Sequence, residues 1–430
     1  MGRLALDILR DLTPLNRVLC SSDYDKAIAY LCNLLPFRVL EYPAADEHNG
    51  WVIPPKWDVI EARIIKDGKT IFDGKKNALS VIALSKGFTG RIPLAELKKH
   101  LFFDTRFEDA TPFHFRQQYR SWNRDWGFCV PKRFFDSLEP GEYVVDLQVD
   151  EHPGSLKILE YTHNGRFKEM IVFAAHLDHP GMANDGLSGC AIGVELFRRL
   201  SEKSTKFSYR LFLHQEIIGS EYYLSKMDDS ERVDLMESIF LEMLGTNTQL
   251  ALQHSRAAQS NIEFSVKQSM IDLGLRFREG PFDSIVTNGD YVWETYGIPM
   301  SSFSRYPFPE YHTDRDNFSL MSEDALEESL AVLLRAIDTI EASPVIIKKF
   351  RGNICLSNPK YNLYVDPGQA ALGGWSTDEI VKKKRFLMDF IPTIKKPVSI
   401  RYLSDQAGLP QDFILDYLAK WQEKGLVSIE

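Results

Sequence analysis

Three apolar runs set between helical patterns constrain this chain more than any other feature. EMIVFAA (169–175), YRLFLHQ (209–215) and SIFLEML (238–244) alternate with LSGCAIGVELFRRL (187–200) and DALEESLAVLLRAIDTIEA (324–342), whose apolar residues recur at helical spacing. Short continuous apolar runs between amphipathic helices are what a sheet covered by helices requires. The expected class is α/β, and at 430 residues the chain exceeds what a single core usually fills, so two or three domains are expected.

Texture along the chain divides it further. Residues 4–10 and 24–35 carry helical periodicity, with Ser22 or Asp23 as N-cap, and PFRVLEYP follows as a short strand. From Trp51 to Tyr143 short β-like runs (VIEARII, KTIFD, ALSVIAL) are broken by Gly, Pro and Asp-Gly signals, KDGKT reading as a hairpin turn. This predicts a β-rich module at 51–143 inserted into an α/β domain made of 1–50 and 144–345. The Pro, Gly and Asn-rich stretch at 346–375 reads as a linker, and 376–430, with helix, Gly-Leu-Pro turn, helix and final strand, resembles a winged helix-turn-helix.

Charge and cysteine usage narrow the function classes. A net charge of -9 disfavours a broad nucleic-acid or anionic-membrane surface. The winged-helix tail holds nine Lys and Arg against eight Asp and Glu, so a structural or protein-contact role is expected of it rather than DNA binding. Five scattered cysteines without CxxC spacing point to a reducing compartment, and no leader-like or membrane-spanning segment is evident, so the expected location is cytoplasmic.

The chemistry concentrates in HLDHPGMANDGLSG (176–189). His176 follows an apolar run directly, which places it at the carboxyl end of a buried strand, where open α/β sheets hold their ligands. Asp185 stands where the next helix starts; alone it would read as an N-cap, and His176 as a core histidine. Glu216 and Glu242 end two further strand-like runs, and PEYHTDRDNF supplies His312 from a distant loop. Imidazole and carboxylate donors converging from separate strand ends form a zinc-compatible set.

The order HxD, Asp, Glu, Glu-Met-Leu-Gly and Tyr-His-Thr resembles the co-catalytic di-zinc aminopeptidase class. More narrowly, HPGMANDGLSG, TPFHF, WGFCVP, the inserted module and the tail resemble aminopeptidase-like domain proteins labelled as polysaccharide-biosynthesis proteins. The resemblance implies a zinc-exopeptidase-like mixed sheet and one or two Zn²⁺ ions. It implies one metal site of His176, Asp185 and Glu242, with Asp185 bridging to a second that includes His312. Asp178 matches the carboxylate that orients His176. Where the class has adjacent glutamates, base then ligand, this chain has Gln215-Glu216. The spacing matches either way, Glu216 as base with a ligand missing, or Glu216 as ligand with Gln215 in the base position; we take Glu216 as base because glutamine cannot accept a proton.

Three further residues are assigned to the substrate side: His179, whose spacing of three from His176 does not guarantee convergence, Asp290 in NGDYVWETYGIP, and Tyr311 on the rim. Residues 111–128 can wall the site, with Arg116, Arg120 and Arg124 available for a carboxylate or phosphate. His214 is read as a buried or surface histidine. The expected function is a metal-dependent hydrolase of peptide or amide bonds, with Glu216 as general base to a metal-activated water. Its partner would be a small peptide or an aminoacyl or amide metabolite, with no nucleic acid and no membrane; a homo-oligomer is compatible. The rivals are a non-catalytic metal-binding scaffold and an amidohydrolase or deacylase acting on an amino-sugar or peptidyl metabolite.

Overall fold

The computed structural model of the protein describes residues 3–120, 122–256, 260–286, 289–366 and 378–430. Its centre is an eight-stranded mixed sheet. In chain order the strands are β1 (Arg38–Pro43), β2 (Ser155–His163), β3 (Met170–His176), β4 (Ser208–His214), β5 (Leu235–Leu241), β6 (Leu250–His254), β7 (Phe277–Pro281) and β8 (Met300–Ser304). They lie in the order β1-β2-β4-β3-β5-β8-β6-β7. The middle four, β4, β3, β5 and β8, are mutually parallel, and antiparallel strands flank them. Every residue of β3 and β4 is buried, which is why both read as mainly apolar runs, β4 interrupted by Arg210, whose guanidinium pairs with Glu160 and Glu231.

Helices Arg3–Leu12, Leu187–Leu200, Asn261–Asp272 and Glu323–Ala342 share one core with the sheet, including Phe173, Phe197, Leu211 and Leu333. No described helix is long and apolar enough to cross a membrane. The helix Ser22–Cys32 is capped by Ser21, whose Oγ accepts from Tyr24 N, rather than by Ser22 or Asp23. Both expected caps are engaged elsewhere, Ser22 Oγ donating to Asp58 and the Asp23 carboxylate accepting from Asn16 N.

The inserted module is a four-stranded antiparallel sheet built on Lys56–Lys66 and Glu142–His152. Asp67 and Gly68, both at positive φ, make the hairpin turn that KDGKT predicts. The module runs to His152 rather than ending at 143, because its last strand pairs with Lys56–Lys66 along its whole length. ALSVIAL is not a strand: it is buried, with only an isolated bridge from Val81 to Phe128.

The 346–375 stretch also departs from expectation. Val345–Lys348 is the central strand of a three-stranded sheet with Val398–Ser399 and Val427–Ile429. Ile346 and Leu356 are buried with Leu387, Leu418 and Trp421, so the described part of the stretch belongs to the C-terminal unit; 367–375 lie outside the described residues. That unit, with helices Glu379–Phe390, Ile400–Ala407 and Gln411–Glu423, docks beneath the sheet, where Ser399 Oγ donates to Asn261 Oδ1 at 2.9 Å.

At the same place the buried Glu237 carboxylate accepts the first amides of the Asn261–Asp272 helix, from Asn261 N (2.6 Å) and Ile262 N (3.3 Å). Burial pushes its carboxyl up from 4.5 to about 7 against those donors. A raised carboxyl keeps its proton in the native state where the unfolded chain has released it. The stability it contributes is complete below the unfolded value and is lost as pH rises through about 7. Glu237→Gln is expected to flatten that fall by on the order of 2 kcal/mol in urea unfolding followed across this window. An unchanged slope would mean that this carboxyl does not titrate there.

Candidate metal centre

β3 and β4 finish level, His176 opposite His214, so the segments after them start at one edge of the sheet. The loop from Leu177 to Gly186 folds back over that edge. Gly186 makes the return possible: its φ is +79, and a Cβ there would lie 2.7 Å from His176 O and 2.8 Å from His176 Cε1. Gly189 brings the next helix against the end of β5, where a Cβ would lie 2.0 Å from Leu241 O. The helix cap is Gly186 with no side-chain hydrogen bond, so the Asp185 carboxylate is not used as a cap.

Two buried residues hold the loop. The Asp316 carboxylate accepts Ala183 N, Asn184 N and Asp185 N at 3.2, 2.6 and 2.8 Å. The fully buried Arg17 donates to Leu177 O (3.0 Å), His179 O (2.6 Å) and Met182 O (2.9 Å). Arg17→Met keeps much of the volume but leaves these carbonyls without donors. It should cost about 3 kcal/mol of stability and weaken metal binding, both measurable by denaturant melts and chelator competition; metal affinity equal to that of the parent would show that the guanidinium does not set the loop.

The loop and its neighbours bring three ligand-bearing side chains together. His176, His179 and Asp185 are buried, and their ligand atoms all lie within 4.8 Å of one another. His176 Nδ1 and His179 Nδ1 are 2.5 Å apart, and His176 Nε2 is 3.6 Å from Asp185 Oδ1. His312 Nε2 stands 3.1 Å from the other carboxylate oxygen, Asp185 Oδ2. Asp178 Oδ1 is 3.7 Å from His176 Nδ1, beyond hydrogen-bond length, and accepts Glu216 N at 3.0 Å. Glu242 is buried at the end of β5, accepts Ser302 Oγ at 3.0 Å and lies outside the tight group of three, within electrostatic reach of His176 and Asp185.

Burial opposes charge on His176, His179, Asp185, Glu216 and Glu242. At His176 three carboxylates, of Asp178, Asp185 and Glu216, outweigh it and raise the imidazole to about 10. At His179 burial dominates, His176 adds to it, and the value falls to about 3. Asp185 is driven well below the carboxylate range, because the facing histidines outweigh its burial. Burial raises Glu242 to about 8 and, with Asp178, Asp290 and Asp185 nearby, Glu216 to about 7.

Gln215 and Glu216 part company after β4. Gln215 is fully buried and donates to Leu19 O and Lys157 O, away from the cluster. Glu216 faces it: Oε2 lies 3.7 Å from His179 Nε2 and accepts Tyr119 OH at 3.3 Å, and the side chain is 26 % exposed. Ile217 follows at φ +61, a strained turn of the kind found at functional sites. Asp290, expected on the substrate side, is instead fully buried, where it accepts Ser220 Oγ at 2.6 Å and lies 3.6 Å from the equally buried His214.

The inserted module closes the remaining side. Phe113 N donates to His312 O and Thr111 N to Asp314 Oδ1, which ties the module to the His312 loop. Phe113 sets its ring edge-on to His179 and His312, Phe115 lies edge-on to His312, and Gln118 Nε2 donates to Asp178 Oδ2 at 3.4 Å. Tyr311 stacks on His312 at 3.8 Å. Arg124 turns away from the site to Glu151, Leu84 O and Ser85 O, while Arg116 and Arg120 are exposed.

Residues 6–343 match the family described as domain of unknown function (DUF4910). The chain belongs to the DUF4910 family. A curated relative from Clostridium acetobutylicum, named as a polysaccharide biosynthesis protein with aminopeptidase-like domain, is 26% identical over 340 residues, covering 78% of this chain and 77% of the relative. Among solved structures, a protein of Clostridium acetobutylicum described as a peptidase superposes with a TM-score of 0.77 at 22% identity, over 100% of this chain and 96% of that one. The zinc aminopeptidase of Bacillus subtilis gives 0.59 at 14% identity, over 79% and 94%. The fold of this DUF4910 chain is that of the zinc aminopeptidases.

The donor set fits zinc. Two imidazoles and a carboxylate are accepted zinc ligands, and the buried Asp185 Oδ2 accepts no hydrogen bond although His312 Nε2 is 3.1 Å away. A nitrogen and a carboxylate oxygen at this separation can both reach one cation placed between them. His179 enters this set, where the sequence placed it on the substrate side. The turn through Pro180, held by Arg17 on the His179 carbonyl, folds the ring back onto His176. The sequence does not single out Arg17 or Asp316, the latter marked only as an acid four residues beyond His312, whereas Gln118 and Tyr119 lie within 111–128, the stretch expected to wall the site.

Proposed function

We propose that this protein is a metal-dependent hydrolase of peptide or amide bonds, aminopeptidase-like. The observation that carries the reading is the convergence of buried His176, His179 and Asp185, with His312 on the second oxygen of Asp185, beside the partly exposed Glu216. His176, His179, Asp185 and His312 would hold zinc, with Glu242 as a further carboxylate. A zinc ion, when bound, polarises a carbonyl and makes water a nucleophile near neutral pH.

The rest of the work falls to the chain. Glu216 accepts the proton of the attacking water and returns it to the leaving amine, and a carboxyl held near 7 is matched to that exchange. Tyr119 donates to Glu216 and steadies it in place. Gln215, engaged by two backbone carbonyls in the core, leaves the base position to Glu216. Phe113, Phe115 and Tyr311 set their rings against His179 and His312 and hold those imidazoles in place.

The substrate is a small peptide or an aminoacyl amide. The Clostridium acetobutylicum relative is named for polysaccharide biosynthesis, and an amino-sugar amide is the substrate of that kind on which the same residues would act. Elemental analysis of the purified protein, with free-amine release from a panel of aminoacyl amides, dipeptides and N-acyl amino sugars, is the test. Stoichiometric zinc with turnover on one class is expected; metal without turnover on any would return the protein to the binding-scaffold reading.

A further inference from the structure

Beneath the sheet, where the C-terminal unit docks, lies a groove of about 570 Å³ lined by Glu169, Lys348, Lys349, Arg351, Lys395 and Lys396, among others. Lys396 Nζ donates to Leu235 O, at the first residue of β5. Glu242 follows the last residue of β5, so the seven-residue strand separates this groove from the metal centre by roughly 20 Å.

The local charge runs against that of the chain. The protein carries -9 overall, yet neither 344–356 nor 391–399 contains a single Asp or Glu. Two of the cations fix the groove: Lys348 Nζ donates to Pro392 O at 2.6 Å, joining the two segments, and Lys396 ties them to the sheet. Lys349, Arg351 and Lys395 are exposed, and among the described residues no carboxylate lies within ion-pair distance of them. Glu169 is the one acid lining the groove. Cations held together on a fixed floor repel one another, and a multiply charged anion relieves that repulsion while taking hydrogen bonds from ammonium and guanidinium groups.

We infer that this groove is a second binding site, separate from the metal centre, that takes a small phosphate-bearing anion. Its volume is that of a small-molecule site. A nucleic-acid track is a poor match, because residues 376–430 carry eight acids against nine bases and duplex binding draws on many phosphate contacts.

Calorimetric titration of the full-length protein with pyrophosphate at low ionic strength tests the inference. Saturable binding is expected, weakened at least tenfold in Lys349→Glu/Arg351→Glu/Lys395→Glu, with zinc content unchanged. Lys395→Glu alone serves if the triple variant fails to fold. Because pyrophosphate also chelates metals, His176→Ala is titrated in parallel and should bind as the parent does. Absence of saturable binding, binding that survives the charge reversals, binding lost in His176→Ala, or binding of a DNA duplex but not of pyrophosphate would each overturn the inference.

Discussion

Glu216→Gln is expected to hold its metal and lose turnover by about 10²–10⁴-fold, the usual worth of positioned proton transfer. The carboxylate lies beside the cluster rather than within its closest group: its contacts are His179 at 3.7 Å and Tyr119 at 3.3 Å, while the tight set is His176, His179 and Asp185. Glutamine keeps the shape and can still accept the Tyr119 hydroxyl, but it cannot take a proton from water. The measurement pairs zinc content with kcat on the best substrate of the panel. Loss of metal would make Glu216 a ligand. Full activity with metal retained would remove it from the mechanism.

His179→Ala is expected to lower zinc affinity by more than about 100-fold, as is His176→Ala. Residues that only support a metal ligand through hydrogen bonds typically cost 10–100-fold when replaced, so a residue that donates directly should cost more. Asp178→Asn provides the internal scale: its carboxylate is near His176 but takes the Glu216 amide, and the loss should stay within the smaller range. Competition with a chelator of known affinity reads all three. If His179→Ala binds zinc as tightly as the parent, the second imidazole is not a ligand, and the cluster reduces to His176, Asp185, Glu242 and His312.

Local physics made some of this legible. A strand buried on both faces is mostly apolar, so β3, β4 and β5 announced themselves, and with them the positions of His176, Glu216 and Glu242 at their ends. The Asp-Gly turn of the inserted module was equally local, since only particular residues adopt positive φ in sequence. ALSVIAL misled because an apolar run reports burial, and burial does not require a strand.

Module limits were less legible because they depend on pairing. Glu142–His152 belongs to the insert through its ladder with Lys56–Lys66, and Val345–Lys348 belongs to the C-terminal unit through strands more than fifty residues later. Nothing in either segment alone records its partner.

The sequence by itself determined the α/β class and the placing of His176, Glu216 and Glu242 at strand ends, because each follows from residue identity and short-range periodicity. Only the tertiary structure decided how those donors are shared out. It brought His179 onto His176, turned Gln215 into the core and Glu216 toward the cluster, buried Asp290 against Ser220 and His214, and set Phe113 and Tyr119 of the insert against that cluster. The physical reason is that a side chain one or two residues past a strand end can face either way. The choice falls to long-range contacts, Arg17 on the loop carbonyls and Asp316 on the loop amides, from segments more than a hundred residues away.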